Sequence, residues 1–118
     1  MALAEMFSMI QDTIAKIEDR VRTADSVEDG HRAELLHLLG TLKSEVDELS
    51  QTHADQAQSI AGFTAVSAHE ATREQKNPQL MRLSLDGLSS SVAEFEASHP
   101  KLVEVVNRIC LTLSNLGI

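Results

Sequence analysis

Hydrophobic residues recur at intervals of three and four positions through five successive segments of the chain. In the first segment, about 2–24, this spacing connects six apolar positions: Leu3, Phe7, Ile10, Ile14, Ile17 and Val21. Residues spaced in this way lie on one face of an α-helix. The apolar face is narrow and heptad-like, which is typical of helical bundles and coiled coils.

The second pattern continues for an unusually long distance. It runs through Leu35, Leu39, Leu42, Val46 and Leu49, and then through His53, Gln56, Ile60 and Phe63. No proline interrupts it before Asn77, so the helical region 26–76 is predicted to contain one continuous helix over about 31–76. Such a helix spans ~70 Å at 1.5 Å per residue. The alternative is a break near residue 52, because Thr52 and Asp55 are able to cap a new helix and Gly62 weakens the middle.

Two further helices are predicted where proline restarts the pattern. Asn77-Pro78 and His99-Pro100 each end one helix and begin another, with Asn77 as a cap, which gives helices over 78–97 and 100–116. The predicted fold is an all-α, antiparallel, coiled-coil-like bundle in a single domain, 1–118. It comprises an N-terminal hairpin (1–50), an alanine-rich helical extension (51–76) and a C-terminal helix pair (77–118).

Self-association is the expected use of this architecture. The alanine-rich extension buries little area by itself, and Leu36 and Leu38 widen the apolar face of the second helix beyond what one neighbour covers. We therefore expect a homo-oligomer, with a two-fold dimer favoured over a compact monomer of five short helices. The interface candidates are Leu36, Leu38, His53, Gln56, Ile60 and Phe63. His53 and Gln56 mark either a peripheral stretch or a polar layer that sets helix register.

Charge and composition narrow the possible partners and the location. The chain has 18 acidic and 10 basic residues, a net charge of −8, which disfavours nucleic acids and anionic membranes. The N-terminal segment has no basic region of the signal-peptide type, and apolar runs are far shorter than the ~20 residues that span a bilayer. A cytoplasmic location is expected, and the single cysteine, Cys110, is expected to be a buried thiol.

Two of the histidines are candidate metal ligands. Glu34 with His37, and Glu96 with His99, have the Glu-x-x-His spacing that di-iron bundles use, since residues three apart share a helix face. Both pairs are weak candidates, because His37 lies off the apolar face and the second pair precedes the break at Pro100. No catalytic motif or phosphate-binding loop is present in the sequence, so no catalytic residue and no cofactor are predicted, and the protein is not expected to be an enzyme.

Three C-terminal segments carry a family resemblance: 95–102 (FEASHPKL), 107–109 (NRI) and 113–118 (LSNLGI). They resemble the ending of a family of small bacterial helical proteins described as a domain of unknown function. The resemblance covers the last quarter of the chain and agrees in general pattern with the N-terminal hairpin. The alanine-rich middle departs from the family pattern or is inserted. It implies no substrate and no site residue.

These patterns together favour an interaction or scaffold protein that acts through a helix face. One alternative is a bundle that binds a metal or a small molecule. Another is an adaptor or chaperone for a client protein, which would leave an apolar patch exposed after self-association.

Overall fold

The computed structural model describes residues 3–117, and within this range it contains α-helices and turns but no strand. The helices are α1 (Leu3–Thr23), α2 (Asp29–Ser50), α3 (Ala54–Thr72), α4 (Pro78–Val92) and α5 (Pro100–Gly117), with a 3₁₀ turn at Ala93–Phe95. The predicted all-α bundle is thereby confirmed. Ala2 and the side chains of Leu3 and Phe7, which were placed in the first helix, lie outside the described residues.

The prediction of one continuous helix over 31–76 is wrong. α2 ends at Ser50 and α3 begins at Ala54, so the break lies where the alternative placed it. The backbone N–H groups of Thr52 and His53 both donate to the carbonyl of Leu49, at 3.1 and 2.8 Å, and close the last turn of α2. A straight helix of ~70 Å would be far longer than the largest dimension of the molecule, 37 Å. Folding back allows α3 to pack inside the bundle.

The alanine-rich segment is the central helix and not an extension, so that prediction is also wrong. α3 contacts α1, α2, α4 and α5. Its buried side chains are mostly small: Ala57, Ala61, Thr64, Ser67, Ala68 and Ala71. Small side chains allow the axes of neighbouring helices to approach closely, and a helix surrounded on several sides requires them.

Large aliphatic side chains from the other four helices fill the space around α3. Those that are less than 2% exposed are Ile10, Ile14, Val21, Leu35, Leu39, Leu42, Val46, Leu49, Leu88, Val92, Leu102, Val106, Ile109 and Leu113, joined by Ile60 from α3 itself. Each such side chain contributes roughly 1.5–3 kcal/mol when it is removed from water. These residues form one continuous hydrophobic cluster.

Polar side chains fix where the helices begin and end. The Arg32 guanidinium donates to the carbonyls of Val21 and Val27, each at 2.7 Å, and of Arg22 at 2.8 Å. The hydrogen bonds to Val21 and Arg22 satisfy carbonyls that the end of α1 leaves without helical partners, and the bond to Val27 ties the following turn to α2. At the start of α4, the Asn77 side chain accepts from the backbone N–H of Leu80 at 3.1 Å, as predicted for this cap.

Helix lengths differ from the predicted ones by three residues or more at three ends. α2 begins at Asp29 and not at residue 26, α3 ends at Thr72 and not at residue 76, and α4 gives way to the 3₁₀ turn after Val92. None of the helices within residues 3–117 is long and apolar enough to cross a membrane.

Candidate interaction surfaces

Exposed apolar side chains concentrate on two neighbouring helices. Among the described residues, six large hydrophobic side chains are exposed, and four of them lie on α3 and α4. These four are Phe63 (40% exposed), Val66 (50%), Leu80 (42%) and Leu83 (58%). Together they are called the apolar patch below.

A contact between Phe63 and Gly87 holds the two halves of the apolar patch together. The Phe63 ring lies against the α4 backbone, so that a Cβ atom at Gly87 would approach the ring Cδ1 to 2.6 Å. Only glycine leaves room for the ring in this position. Leu83 precedes Gly87 by one helical turn and Val66 follows Phe63 by three residues, which keeps them on the adjoining face.

A groove between α1 and α3 is lined by basic and uncharged side chains. It consists of two adjoining depressions of about 210 and 380 Å³ that share Lys16 and Arg20. The other lining residues are Thr13, Ile17, Thr23 and Ala24 from α1 and its end, and Ala65, His69 and Thr72 from α3. No carboxylate is among these lining residues. This surface is called the basic groove below.

The two pairs of candidate metal ligands lie apart from each other in the structure. The Thr112 hydroxyl donates to the Glu34 carboxylate at 3.2 Å, near the C-terminal end of α5. Glu96 and His99 lie at the other end of α5, about 18 Å away along its axis. Within residues 3–117, no three His, Cys, Asp or Glu side chains are grouped as a metal ion requires.

Each of these histidines has its own surroundings. His37 lines a groove between α2 and α5 with Lys101, Glu104 and Arg108. The His99 ring contacts the Phe95 ring edge-on, with a centroid separation of 5.6 Å. Glu96 borders a shallow groove along α5 of about 590 Å³.

The predicted interface residues divide between the core and the surface. Leu38 and Ile60 are 6% and 0% exposed and belong to the hydrophobic core of the chain itself. Leu36 is half-buried against that core, and Gln56 is also half-buried. Phe63 is the member of the predicted set that lies in the apolar patch.

His53 makes an intramolecular contact. Its half-buried ring meets the Phe95 ring edge-on, with the centroids 5.3 Å apart and an interplanar angle of 80°. Its Nδ1 lies 2.8 Å from the Thr52 hydroxyl. These contacts place His53 in the junction between the α2–α3 turn and the 3₁₀ turn that follows α4.

Cys110 is half-buried, with its Sγ 4.0 Å from the carbonyl oxygen of Leu85. Burial raises the pKa of this thiol to about 11, and the carboxylate of Asp86 adds to the increase. A thiol with such a pKa is almost entirely protonated at neutral pH and is a poor nucleophile.

The sequence patterns did not single out Val66, Leu80 and Leu83, or the cations of the basic groove. A signal for Leu80 and Leu83 is present, because both lie off the buried face of α4 that contains Met81 and Leu88. Apolar residues outside a buried face indicate a second contact surface. The basic groove has no comparable signal, since it joins two segments that are about 50 positions apart in the sequence.

Comparisons with known proteins identify the family. Comparison with curated proteins and with solved structures yields no match to this chain. The family described as a domain of unknown function (DUF4404) matches residues 10–118. The match runs through the alanine-rich middle as well as through the C-terminal segments that carry the resemblance. The chain belongs to the DUF4404 family, which is described as a domain of unknown function.

Proposed function

We propose that this protein is a protein–protein interaction module that self-associates as a two-fold dimer through the apolar patch. The observation that supports the proposal is the concentration of exposed Phe63, Val66, Leu80 and Leu83 on one pair of adjacent helices. Contiguous exposed apolar surface on a folded domain is characteristic of contact sites. The proposal assigns no catalytic step and no cofactor to the protein.

The distribution of charge supports a second copy as the occupant. Two molecules with a net charge of −8 repel each other, so close approach is favoured where the surface has little charge. The stretch of α3 from Gln56 to Ala68 contains no charged residue. On α4, Arg82 and Asp86 flank Leu83 with opposite charges, which suits an isologous contact between antiparallel copies of this helix.

The size of the apolar patch sets the expected affinity. Four partly exposed side chains form a small contact surface compared with standard interfaces of ~800 Å² per partner. We therefore expect a dissociation constant on the order of 10 µM. Sedimentation velocity from low to high micromolar concentration should show the mass rising from 12.9 kDa towards twice that value.

Charge-introducing variants test whether the apolar patch is the interface. Leu83→Glu places a carboxylate at a side chain that is 58% exposed, so the fold should be retained while dimerisation is lost. The matched control is Leu111→Glu on α5, where the side chain is 65% exposed and lies outside the apolar patch. A wild-type protein that stays monomeric at high micromolar concentration contradicts the proposal. Equal dissociation by both variants also contradicts it.

A second variant perturbs the apolar patch without adding charge. Gly87→Ala forces the Phe63 ring away from the α4 backbone, because the new Cβ would lie 2.6 Å from the ring Cδ1. Alanine also favours the helix by roughly 1 kcal/mol over glycine. We expect weaker dimerisation with undiminished helicity by circular dichroism. Unchanged dimerisation with a displaced ring would remove Phe63 from the interface.

A further inference from the structure

We infer that the basic groove between α1 and α3 is a binding site for an extended acidic peptide segment of a partner protein. The basic groove shares no residue with the apolar patch, so this inference is independent of the proposed dimer. Its support comes from charge, from hydrogen-bonding capacity and from shape.

The two cationic side chains of the basic groove have no carboxylate partners among the described residues. Lys16 and Arg20 lie one helical turn apart, and neither has a carboxylate within 4.0 Å in the part of the chain that the structure describes. Two nearby acidic side chains, those of Asp19 and Glu70, have other partners. Asp19 accepts from Arg22 at 3.1 Å, and the buried carboxylate of Glu70 accepts from Arg73 at 3.0 Å. Cations in a cleft concentrate the local field and attract anionic groups even when the net charge of the molecule is negative.

The basic groove has no fixed donors of the kind that surround a single small anion. The hydroxyls of Thr13, Thr23 and Thr72 donate to the carbonyls of their own helices, at 2.9, 3.0 and 2.8 Å. Their protons are therefore committed to the helix backbone. The free donors are the long cationic side chains of Lys16 and Arg20, which can follow a ligand of variable shape. The half-exposed imidazole of His69 also lines the groove, with its Nε2 3.9 Å from the Glu70 carboxylate.

Shape favours an elongated ligand. The lining residues of α1 run from Thr13 to Thr23, which is about 15 Å along the helix axis at 1.5 Å per residue. An extended peptide covers this distance with about five residues at ~3.3 Å each. Ile17, which is 4% exposed, and Ala65 provide an apolar floor on which the aliphatic parts of acidic side chains can rest. Carboxylates along one edge of such a peptide would face Lys16 and Arg20.

A fluorescence anisotropy titration tests the inference with a defined probe. The probe is fluorescein-labelled hexaglutamate at low ionic strength, and labelled hexaglutamine is the uncharged control peptide. We expect saturable binding of hexaglutamate only. In the double variant Lys16→Gln/Arg20→Gln the dissociation constant should rise at least about fivefold, as expected for the loss of two exposed charge contacts.

The matched control separates a local site from net charge. Lys101→Gln/Arg108→Gln removes two exposed cations from α5, outside both the apolar patch and the basic groove, and therefore gives the same net charge as the first double variant. Its dissociation constant should change by less than about twofold. Equal weakening in the two double variants would show that net charge governs binding, and absence of saturable hexaglutamate binding would remove the site. Displacement by inorganic pyrophosphate at concentrations as low as those of unlabelled hexaglutamate would make it a small-anion site and overturn the peptide assignment.

Discussion

The position of Ala61 in the centre of the bundle makes a substitution there a direct test of the fold. Ala61 is 1% exposed on a helix that contacts all four others. Ala61→Leu adds three carbon atoms. If α3 lay on the outside of the molecule against a neighbour with space to spare, the added carbons would stabilise by about 2 kcal/mol, at ~0.8 kcal/mol per buried methylene.

In the structure the same change has the opposite sign. Extra methylenes in a close-packed interior displace side chains and backbone at a cost of ~1–3 kcal/mol. We expect Ala61→Leu to lower the free energy of unfolding by about 2 kcal/mol. With an m-value of ~2 kcal/mol/M, this lowers the urea midpoint by roughly 1 M.

Far-UV circular dichroism is the suitable assay, because the chain has no tryptophan and no tyrosine for intrinsic fluorescence. The control is Ala33→Leu on the exposed side of α2, where the midpoint should change little, by less than ~0.5 kcal/mol in free energy. A midpoint that rises in Ala61→Leu would refute the central position of α3. So would equal midpoints for the two variants.

Three further predictions concern individual polar groups. Arg32→Ala removes three hydrogen bonds to carbonyls around the α1–α2 turn and should lower the free energy of urea unfolding by about 2 kcal/mol. Arg32→Lys should restore only part of this stability, because an ammonium cannot reach all three carbonyls. A loss below ~0.5 kcal/mol in Arg32→Ala would contradict this role. Burial raises the pKa of Asp47 above its usual 3.8, although the positive charge of Lys43 acts in the opposite direction. The ionised form of this carboxyl is therefore disfavoured in the folded protein, and the free energy of unfolding falls as the pH rises above 3.8. Asp47→Asn should therefore unfold at higher urea than wild type at pH 7, by less than ~1 kcal/mol, with the difference vanishing near pH 3; a less stable variant at pH 7 would disprove the sign. The pKa of Cys110 is about 11 instead of 9.0, so its alkylation by iodoacetamide at pH 8 should be on the order of 100-fold slower in folded than in urea-unfolded protein. Mass spectrometry measures the rate of alkylation. Equal rates in the two states would be inconsistent with the raised pKa.

The sequence predicted the helices because each has its own local signal. Apolar residues at helical spacing mark the buried faces of α1, α2, α4 and α5, and Asn77-Pro78 marks the start of α4 through the restricted backbone of proline. These signals depend only on neighbours within one or two turns. The family resemblance at the C-terminus was likewise readable, and the family match to residues 10–118 confirms it.

The candidate surfaces were less predictable. Phe63 was among the predicted interface residues and lies exposed in the apolar patch, but its contact with a partner stays a prediction. Leu38 and Ile60 were predicted from the same kind of pattern and are buried in the core. Periodicity indicates that a residue lies on an apolar face, but it does not distinguish a face covered by the chain itself from one left open.

By itself, the sequence determined the helical class, the number of apolar segments and the proline-marked boundaries, since these depend on local backbone preferences and on spacing. Only the tertiary structure decided that the chain turns back at 51–53 and that the alanine-rich helix lies in the middle. The physical reason is that a small side chain buries little area on its own helix, yet it permits four other helices to pack closely, and that benefit exists only when all five are assembled.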